Sequence, residues 1–480
     1  MFARLRPYLF LFLALTVVYH ANFRPVDSSD TLPGSLIPFS LVLDHTIVLD
    51  RFVPWLRGHV WYTPYVIHHT AGHYFSSYPI GGPLLVSPLY LPVAFFGLGG
   101  WDPGALVVFA RIAEKFAAAA IAALSAVLLL LLLKRVTTTP WAWCLTLVYA
   151  LATETWSISS QALWQHGPGE LAIIGCFYCI ERWQADRSRN IWLWLCGACT
   201  GAAFIIRPTN LALLPAVLLA LLLAKGTVAQ RVGIFARALA VPLMGGLLLL
   251  SYNLHVFHHL SGGYAMAVLQ GSTLRGLAGI YLSPGRGLLI YTPVALFALG
   301  AFLPGASAAR RQHNLVQAAA VFFIILESLV ISQSIMWWGG YCWGPRMLTE
   351  VVPPLIVLMA IGVSALDRPW PRRAFAVLAL YSLLIQAIGA FFYPNGHWDA
   401  ELQGLDHAAG RLWNWGDNPI GRTVRGGFYW QPYVIVAAAL TGGIPAAQLR
   451  MRELNVNPYE EAKPVDDQPA RVPQTTRELP

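Results

Sequence analysis

Leu84-Leu85-Val86-Ser87-Pro88-Leu89-Tyr90-Leu91-Pro92-Val93-Ala94-Phe95-Phe96-Gly97 is the stretch whose reading decides the fold. It is apolar, but Pro88 and Pro92 interrupt it, and its fourteen residues fall short of the about twenty that a bilayer-crossing helix needs. If it crosses, every later segment changes sides. If it does not, the polar stretch before it and the loop after it join into one large loop on one face.

Charge decides between the two. Twelve further apolar segments read as spans, at about 7–23, 105–133, 140–158, 167–182, 191–206, 209–224, 233–254, 287–303, 315–336, 350–366, 373–392 and 428–446. With 84–97 left uncrossed, alternation puts 20 Lys and Arg on the side of both termini and 10 on the other. With a crossing there, the split becomes 9 and 21. Basic residues favour cytoplasmic loops, so the uncrossed arrangement is selected. Leu84–Gly97 then lies along the outer interface, or dips in and returns, and both termini are cytoplasmic.

Composition agrees with a membrane location. Of 480 residues, 56% are hydrophobic and 11% charged, and mean hydropathy is +0.55; soluble domains carry about 25% charged residues. The 18 Trp and 19 Tyr suit interfacial belts. A net charge of +9 spread over many short loops is the positive-inside pattern and gives no reason to expect nucleic acid. The expectation is an all-α polytopic membrane protein over residues 1–446, with a large first outer loop at 24–104 and a disordered cytoplasmic tail at 447–480.

The orientation sorts the polar residues. Asp27, Asp30, Asp44 and Asp50 all fall in the first outer loop, as does the run Gly72-His73-Tyr74-Phe75-Ser76-Ser77-Tyr78-Pro79-Ile80-Gly81-Gly82-Pro83. Of 13 histidines, 12 face outward and only His313 faces inward. The long loops 24–104, 255–286 and 393–427 are outer, and the inner ones are short and basic. Any chemistry belongs on the outer face.

No phosphate-binding P-loop, dinucleotide fingerprint or zinc-protease helix motif occurs. Nucleotide donors are cytoplasmic, so group transfer outside needs a donor delivered in the membrane, such as a lipid-linked phosphate. That requires a base, a cationic cradle and an apolar groove. The base candidates are Asp30, Asp50, Asp44 and Asp27, since a carboxylate takes the proton of an attacking hydroxyl. Against this, loop aspartates commonly cap helices, and Asp27-Ser28-Ser29-Asp30 before Thr31-Leu32-Pro33 suits an N-cap. The cation candidates are Arg207 in Ile206-Arg207-Pro208, Arg286 in Ser283-Pro284-Gly285-Arg286-Gly287, and Arg346 in Gly344-Pro345-Arg346. A guanidinium fork matches phosphate oxygens; snorkelling to headgroups is the bland alternative.

The run Trp164-Gln165-His166-Gly167-Pro168 reads as polar lining of the same cleft. The clusters His68-His69-x3-His73 and His255-x2-His258-His259 do not have diagnostic ligand spacing, so no cofactor is expected, with a divalent metal as the alternative. Cys176-x2-Cys179 and Cys196-x2-Cys199 lie inside apolar helices and read as small packing residues rather than redox or zinc motifs.

Taken in order, these motifs resemble the C-type superfamily of polytopic glycosyltransferases, among them bacterial relatives of the protein mannosyltransferases and of the lipid A aminoarabinose transferase. The resemblance is carried by Gly72-His73, Ser77-Tyr78-Pro79 and Gly81 to Pro83, then Arg207-Pro208-Thr209 and Tyr252-Asn253. It continues through Ser283 to Leu288 with Tyr291-Thr292-Pro293, Trp337-Trp338-Gly339-Gly340 with Gly344-Pro345-Arg346, and Arg411 to Trp415. It covers most of 1–446; each motif is loose, and their order and spacing are more specific. It implies a first outer loop with interfacial helices and an aspartate base soon after span one. It also implies a polyprenyl-phosphate sugar donor and inversion at the anomeric carbon. Asp30 matches the aspartate's position, but the family often has Asp-Glu there and Thr31 follows here, so Asp50 and Asp44 stay open. Arg286 and Arg346, with Arg207, would bind the leaving phosphate, while Tyr78, His73, His166 and Trp338 would shape the sugar or acceptor cleft. The expected enzyme is an inner-membrane glycosyltransferase whose acceptor is a lipid, glycan or protein hydroxyl. Two rivals are a transporter or flippase of a lipid-linked sugar, and a glycan polymerase or ligase using a lipid-pyrophosphate donor. A transporter would bury charges at mid-membrane depth; the main deep charges in sequence are Glu114, Lys115 and Glu327.

Overall fold

A computed structural model describes residues 2–24, 28–58, 64–263, 269, 271–393, 398–399 and 409–440. Asp27, the end of the last apolar segment at 441–446 and the tail at 447–480 lie outside the described residues. By internal contact the chain divides into Met1–Pro432 and Tyr433–Pro480; the described part of the second is the end of helix Gln431–Leu440.

Over the described residues, all twelve apolar segments are helical. The principal helices are α1 (Phe2–His20), α2 (Leu32–Phe39), α3 (Gly81–Val86), α4 (Pro103–Val136), α5 (Thr139–Leu151) and α6 (His166–Ala185). They continue with α7 (Ile191–Ile206), α8 (Leu213–Leu222), α9 (Val228–Phe257), α10 (Asn314–Ser332), α11 (Val352–Gly362) and α12 (Pro369–Phe391). Four of these, α4, α9, α10 and α12, are long and apolar enough to cross a membrane; Pro293–Phe302 with Pro304–Gln312, bent by 68°, has the same length and apolarity only when the two are taken together, as a broken span or a re-entrant loop. Several shorter apolar helices, among them α5 and α7, pack beside them. This is the architecture of an α-helical membrane protein. One departure from the all-helical expectation is a hairpin in the first loop, β1 (Ile67–Thr70) antiparallel to β2 (His73–Ser76), with Thr70 opposite His73. Its turn holds Ala71 and Gly72 at positive φ, the mirror-type turn whose twist matches paired strands.

The main core is built by α1, α4–α8, α10, α11 and α12 around small residues such as Ala119, Ala122, Ala123 and Ala126 on α4. These small residues let backbones approach closely, which is how membrane helices gain contact without a hydrophobic drive between them. Cys176 and Cys196 meet at 3.5 Å between α6 and α7, as packing residues with free thiols.

The segment 84–97 is a broken ladder of short helices, Gly81–Val86, Ser87–Tyr90 and Leu91–Phe95, cut where prolines withdraw backbone donors. Val86, Tyr90 and Val93 are buried, whereas Leu84, Leu85, Leu89, Leu91, Phe95 and Phe96 are exposed. One apolar face is thus packed inward and another is left uncovered. The segment belongs to a second core that the first loop makes with α2 and the start of α4. At 1.5 Å per residue the 34 residues of α4 span about 51 Å. The hydrocarbon layer is about 30 Å thick. The helix therefore carries the loop's core on its first turns and the bundle's core on its later ones.

Candidate functional site

Polar contacts fix which helix ends lie together. At one end, α6 starts at His166, α7 stops at Ile206, and the turn Arg346–Val351 leads into α11. At the other, Gln184 near the end of α6 bonds to Gln312 and Asn314 at the start of α10. The cleft lies at the first end. Its volume is about 610 Å3, including the part open to solvent, and Asp30, Tyr78, Trp164, His166, Arg207 and Arg346 line it with the Gly82–Pro83 turn.

Asp30 sits in a 3-10 turn, Ser29–Thr31, directly before α2. It does not cap that helix; Thr31 is the N-cap residue and no side chain serves it. The carboxylate turns into the cleft instead. Its Oδ1 accepts from the Tyr78 hydroxyl at 2.7 Å and the Tyr65 hydroxyl at 3.2 Å, and its Oδ2 accepts from Arg346 Nη1 at 3.0 Å. Burial pushes its pKa up, but the Arg346 charge and the three hydrogen bonds outweigh this and hold it below the ordinary carboxylate value. The Tyr65 hydroxyl is pushed up to about 12, first by burial and then by the Asp30 charge, so it remains a donor. Arg346 has its guanidinium carbon over Trp164, 4.2 Å from the ring centre, and also donates to Gly339 O.

The backbone under Asp30 is pinned from α4. Arg111 Nη2 donates to Ser28 O at 2.8 Å, and its Nη1 donates to Thr31 Oγ1 at 3.1 Å and Glu114 Oε1 at 3.0 Å. Tyr78 is placed by the chain leaving β2, and Gly81 lets α3 press on α7. A Cβ on Gly81 would stand 2.6 Å from the backbone of Ile205 and Ile206. Only glycine permits that approach, which brings the Pro79–Pro83 wall beside Arg207.

Arg207 ends α7 because Pro208 follows: the residue before proline is pushed out of the helical region, and Arg207 is extended at φ −146°. Its guanidinium, 1% exposed, is committed to protein carboxylates: an ion pair to Glu350 and a longer one of 3.8 Å to Glu327. His166 Nδ1 meets the same Glu350 oxygen at 2.9 Å. The cleft floor is therefore an internally paired network, in which Arg207 lines the cleft with two carboxylate partners already beside it.

The remaining sequence candidates lie elsewhere. Asp44 is spent on Arg51, which also holds Gly99 O. Asp50 accepts from His73 at 2.6 Å and from the Tyr74 N–H at 2.8 Å, so Asp50 and His73 brace the hairpin outside the cleft. Arg286, 1% exposed, is clamped by Asp399, by the carbonyls of Gly285, Trp338 and Gly340, and by the face of Trp398 at 5.4 Å. Trp338 packs on Trp337 in that aromatic cluster and does not line the cleft. Thus Asp30, Tyr78, His166, Arg207 and Arg346 come together, whereas Asp44, Asp50, His73, Arg286 and Trp338 do not join them. His68 and His69 pack on Phe257 and Tyr74, and among the described residues no group of three or more His, Cys, Asp or Glu is placed to hold a metal ion.

Comparison with known proteins gives no matching family model and no matching curated protein. The site's meaning rests on its chemistry. Sequence reasoning missed Tyr65, Arg111 and Glu350. Tyr65 is one of many loop aromatics. Glu350 offers one signal, a carboxylate at the very start of an apolar run, where burial demands a cationic partner.

Proposed function

We propose that this chain is a membrane glycosyltransferase that moves a sugar from a polyprenyl-phosphate donor to an acceptor hydroxyl outside the cytoplasm. In this reading it has the C-type architecture with twelve spans, cytoplasmic termini and the first loop outside. The observation that carries the proposal is the carboxylate of Asp30, held in a cleft against Arg346 and Tyr78 at the edge of an apolar bundle.

The resting contacts suggest the sequence of events. An anionic donor phosphate competes with Asp30 for Arg346, and as it takes the guanidinium it loosens Asp30 from its strongest partner. The freed carboxylate accepts the acceptor's O–H proton while the acceptor oxygen attacks the anomeric carbon. The bond from that carbon to phosphate oxygen breaks, polyprenyl phosphate leaves with the electron pair, and the anomeric centre inverts. Arg346 stabilises the negative charge that builds on the departing phosphate. His166, oriented by Glu350, offers its other ring nitrogen to sugar or acceptor hydroxyls.

The transporter reading has one observation in its favour: Glu114, Lys115, Glu154, Glu170, Glu327 and Glu350 are all buried. All six nevertheless belong to the polar layer around the cleft end, Glu114 through its bonds from Arg111 and Thr31 under Asp30. Glu154 takes bonds from Thr292 and Gln386, Glu170 from Thr155, and Lys115 bonds Gln161, while Glu327 and Glu350 flank Arg207. Such a layer supports a one-sided site better than a path through the membrane.

Proteoliposomes separate the readings. Labelled sugar on polyprenyl phosphate should appear on an external acceptor, with little product from the matching pyrophosphate donor. Transbilayer movement of the intact donor without transfer favours the flippase, and preference for the pyrophosphate favours the polymerase.

A further inference from the structure

A second polar cavity lies at the opposite end of the bundle from the cleft. Its volume is about 800 Å3, including open solvent, and Lys134, Arg135, Glu181, Gln184, Ala185 and Gln312 line it. Lys134 and Arg135 close α4 directly after the leucine run 128–133, and so sit where apolar helix gives way to headgroup depth. Tyr8 and Trp143 stand beside Lys134, with ring centres 4.6 and 5.6 Å from Nζ, in the manner of an interfacial aromatic belt.

The charges of this cavity are incompletely used. Lys134 Nζ donates to the Tyr8 hydroxyl at 3.1 Å and has no carboxylate within ion-pair distance among the described residues. The Nε of Arg135 is buried without a hydrogen-bond partner among them. Glu181, 5% exposed, gives Oε1 to His313 Nδ1 at 2.9 Å, while its Oε2 is buried with no hydrogen-bond partner among the described residues. One cavity thus presents two cations and one half-used carboxylate. Buried polar atoms are rarely left unbonded, and basic pockets between membrane helices take lipid headgroups. A simple anion would satisfy Lys134 and Arg135 but would face Glu181 with like charge.

We propose that this cavity binds a zwitterionic headgroup made of a phosphodiester and a primary ammonium. The phosphodiester lies against Lys134 and Arg135, and the ammonium donates to Glu181 Oε2. The chemistry distinguishes its ligand from near relatives. A glycerol headgroup brings the phosphate without the cation. A choline headgroup brings a cation with no N–H, which cannot bond the glutamate oxygen.

The test uses the purified full chain in detergent, with binding of short-chain phosphatidylethanolamine, phosphatidylglycerol and phosphatidylcholine followed by native mass spectrometry. The ethanolamine lipid should bind on the order of tenfold more tightly than the other two, the worth of one charge-assisted hydrogen bond. R135Q and K134Q, at the mouth of the cavity, should weaken it, and E181Q should abolish its advantage over the glycerol lipid. Free glycerophosphoethanolamine, the same phosphodiester without acyl chains, is the second arm: if it competes as well as the lipid, the ligand is the soluble compound, and if it does not, the ligand is the lipid. Equal binding of all three lipids, or ethanolamine-lipid binding unchanged in both R135Q and K134Q, overturns the proposal.

Discussion

Replacing Asp30 with asparagine should move two quantities in opposite directions. The change keeps an oxygen for the Tyr78 and Tyr65 hydroxyls and removes the negative charge that faces Arg346 at 3.0 Å. A positioned general base contributes about 10²–10⁴-fold. At about 1.36 kcal/mol per decade this is roughly 3–5 kcal/mol of barrier. Transfer should fall by that factor. Arg346 meanwhile loses its competitor. The pair is partly exposed, at 11% and 22% of the two side chains, so its worth is discounted to about 1 kcal/mol. A phosphate competing for the same guanidinium should then bind about fivefold more tightly. The assay is transfer in proteoliposomes beside equilibrium binding of polyprenyl phosphate to the same preparation. Retained transfer removes Asp30 as base, and weakened phosphate binding removes the competition for Arg346. Acid stability gives an independent check. Because the native pKa of Asp30 is lowered, its stabilising contribution is complete above its ordinary 3.8 and is lost as pH falls through the lower native value. Below about pH 4 the stability gap between wild type and D30N should therefore narrow.

R286Q should cost stability rather than chemistry. It leaves Asp399 buried without its cation, a loss of about 3–5 kcal/mol, visible as a lower unfolding temperature with phosphate affinity kept; unchanged stability rules out the clamp. G81A should destabilise by about 1–3 kcal/mol through overpacking on α7, whereas G100A, whose Cβ would meet nothing within 4 Å, should be neutral. R111Q should loosen the backbone under Asp30 and lower kcat by up to about 10²-fold, with the donor KM held; a rise in KM alone contradicts that positioning role.

Much of this layout is legible in the sequence. Apolar runs separated by short basic loops mark the helices, and paired prolines mark the broken segment 84–97. The loop carboxylates are visible too, but their fates depend on partners that sequence distance hides. Asp44 is neutralised by Arg51, only seven residues on, whereas Asp30 meets Arg346, 316 residues away. Asp50 and His73 meet because the hairpin folds β2 back beside Leu49, whose N–H bonds Tyr74 O. Gly/Pro-rich context marks Arg286 and Arg346 equally, yet one is closed off by Asp399 and Trp398 and the other opens on the cleft. Arg207 shows the same limit, since Glu327 and Glu350 arrive from two other helical segments.

The turn Gly339–Gly340 links the two arginines in a further way. Arg346 donates to the carbonyl of Gly339 and Arg286 to that of Gly340, and both glycines stand at positive φ, 76° and 69°. Arg286, clamped by the Trp398–Asp399 segment, and Arg346 thus bond to carbonyls one residue apart. A segment a little over fifty residues along the chain from Arg346 thereby stands, through Arg286, only two peptide groups away from the cation beside Asp30.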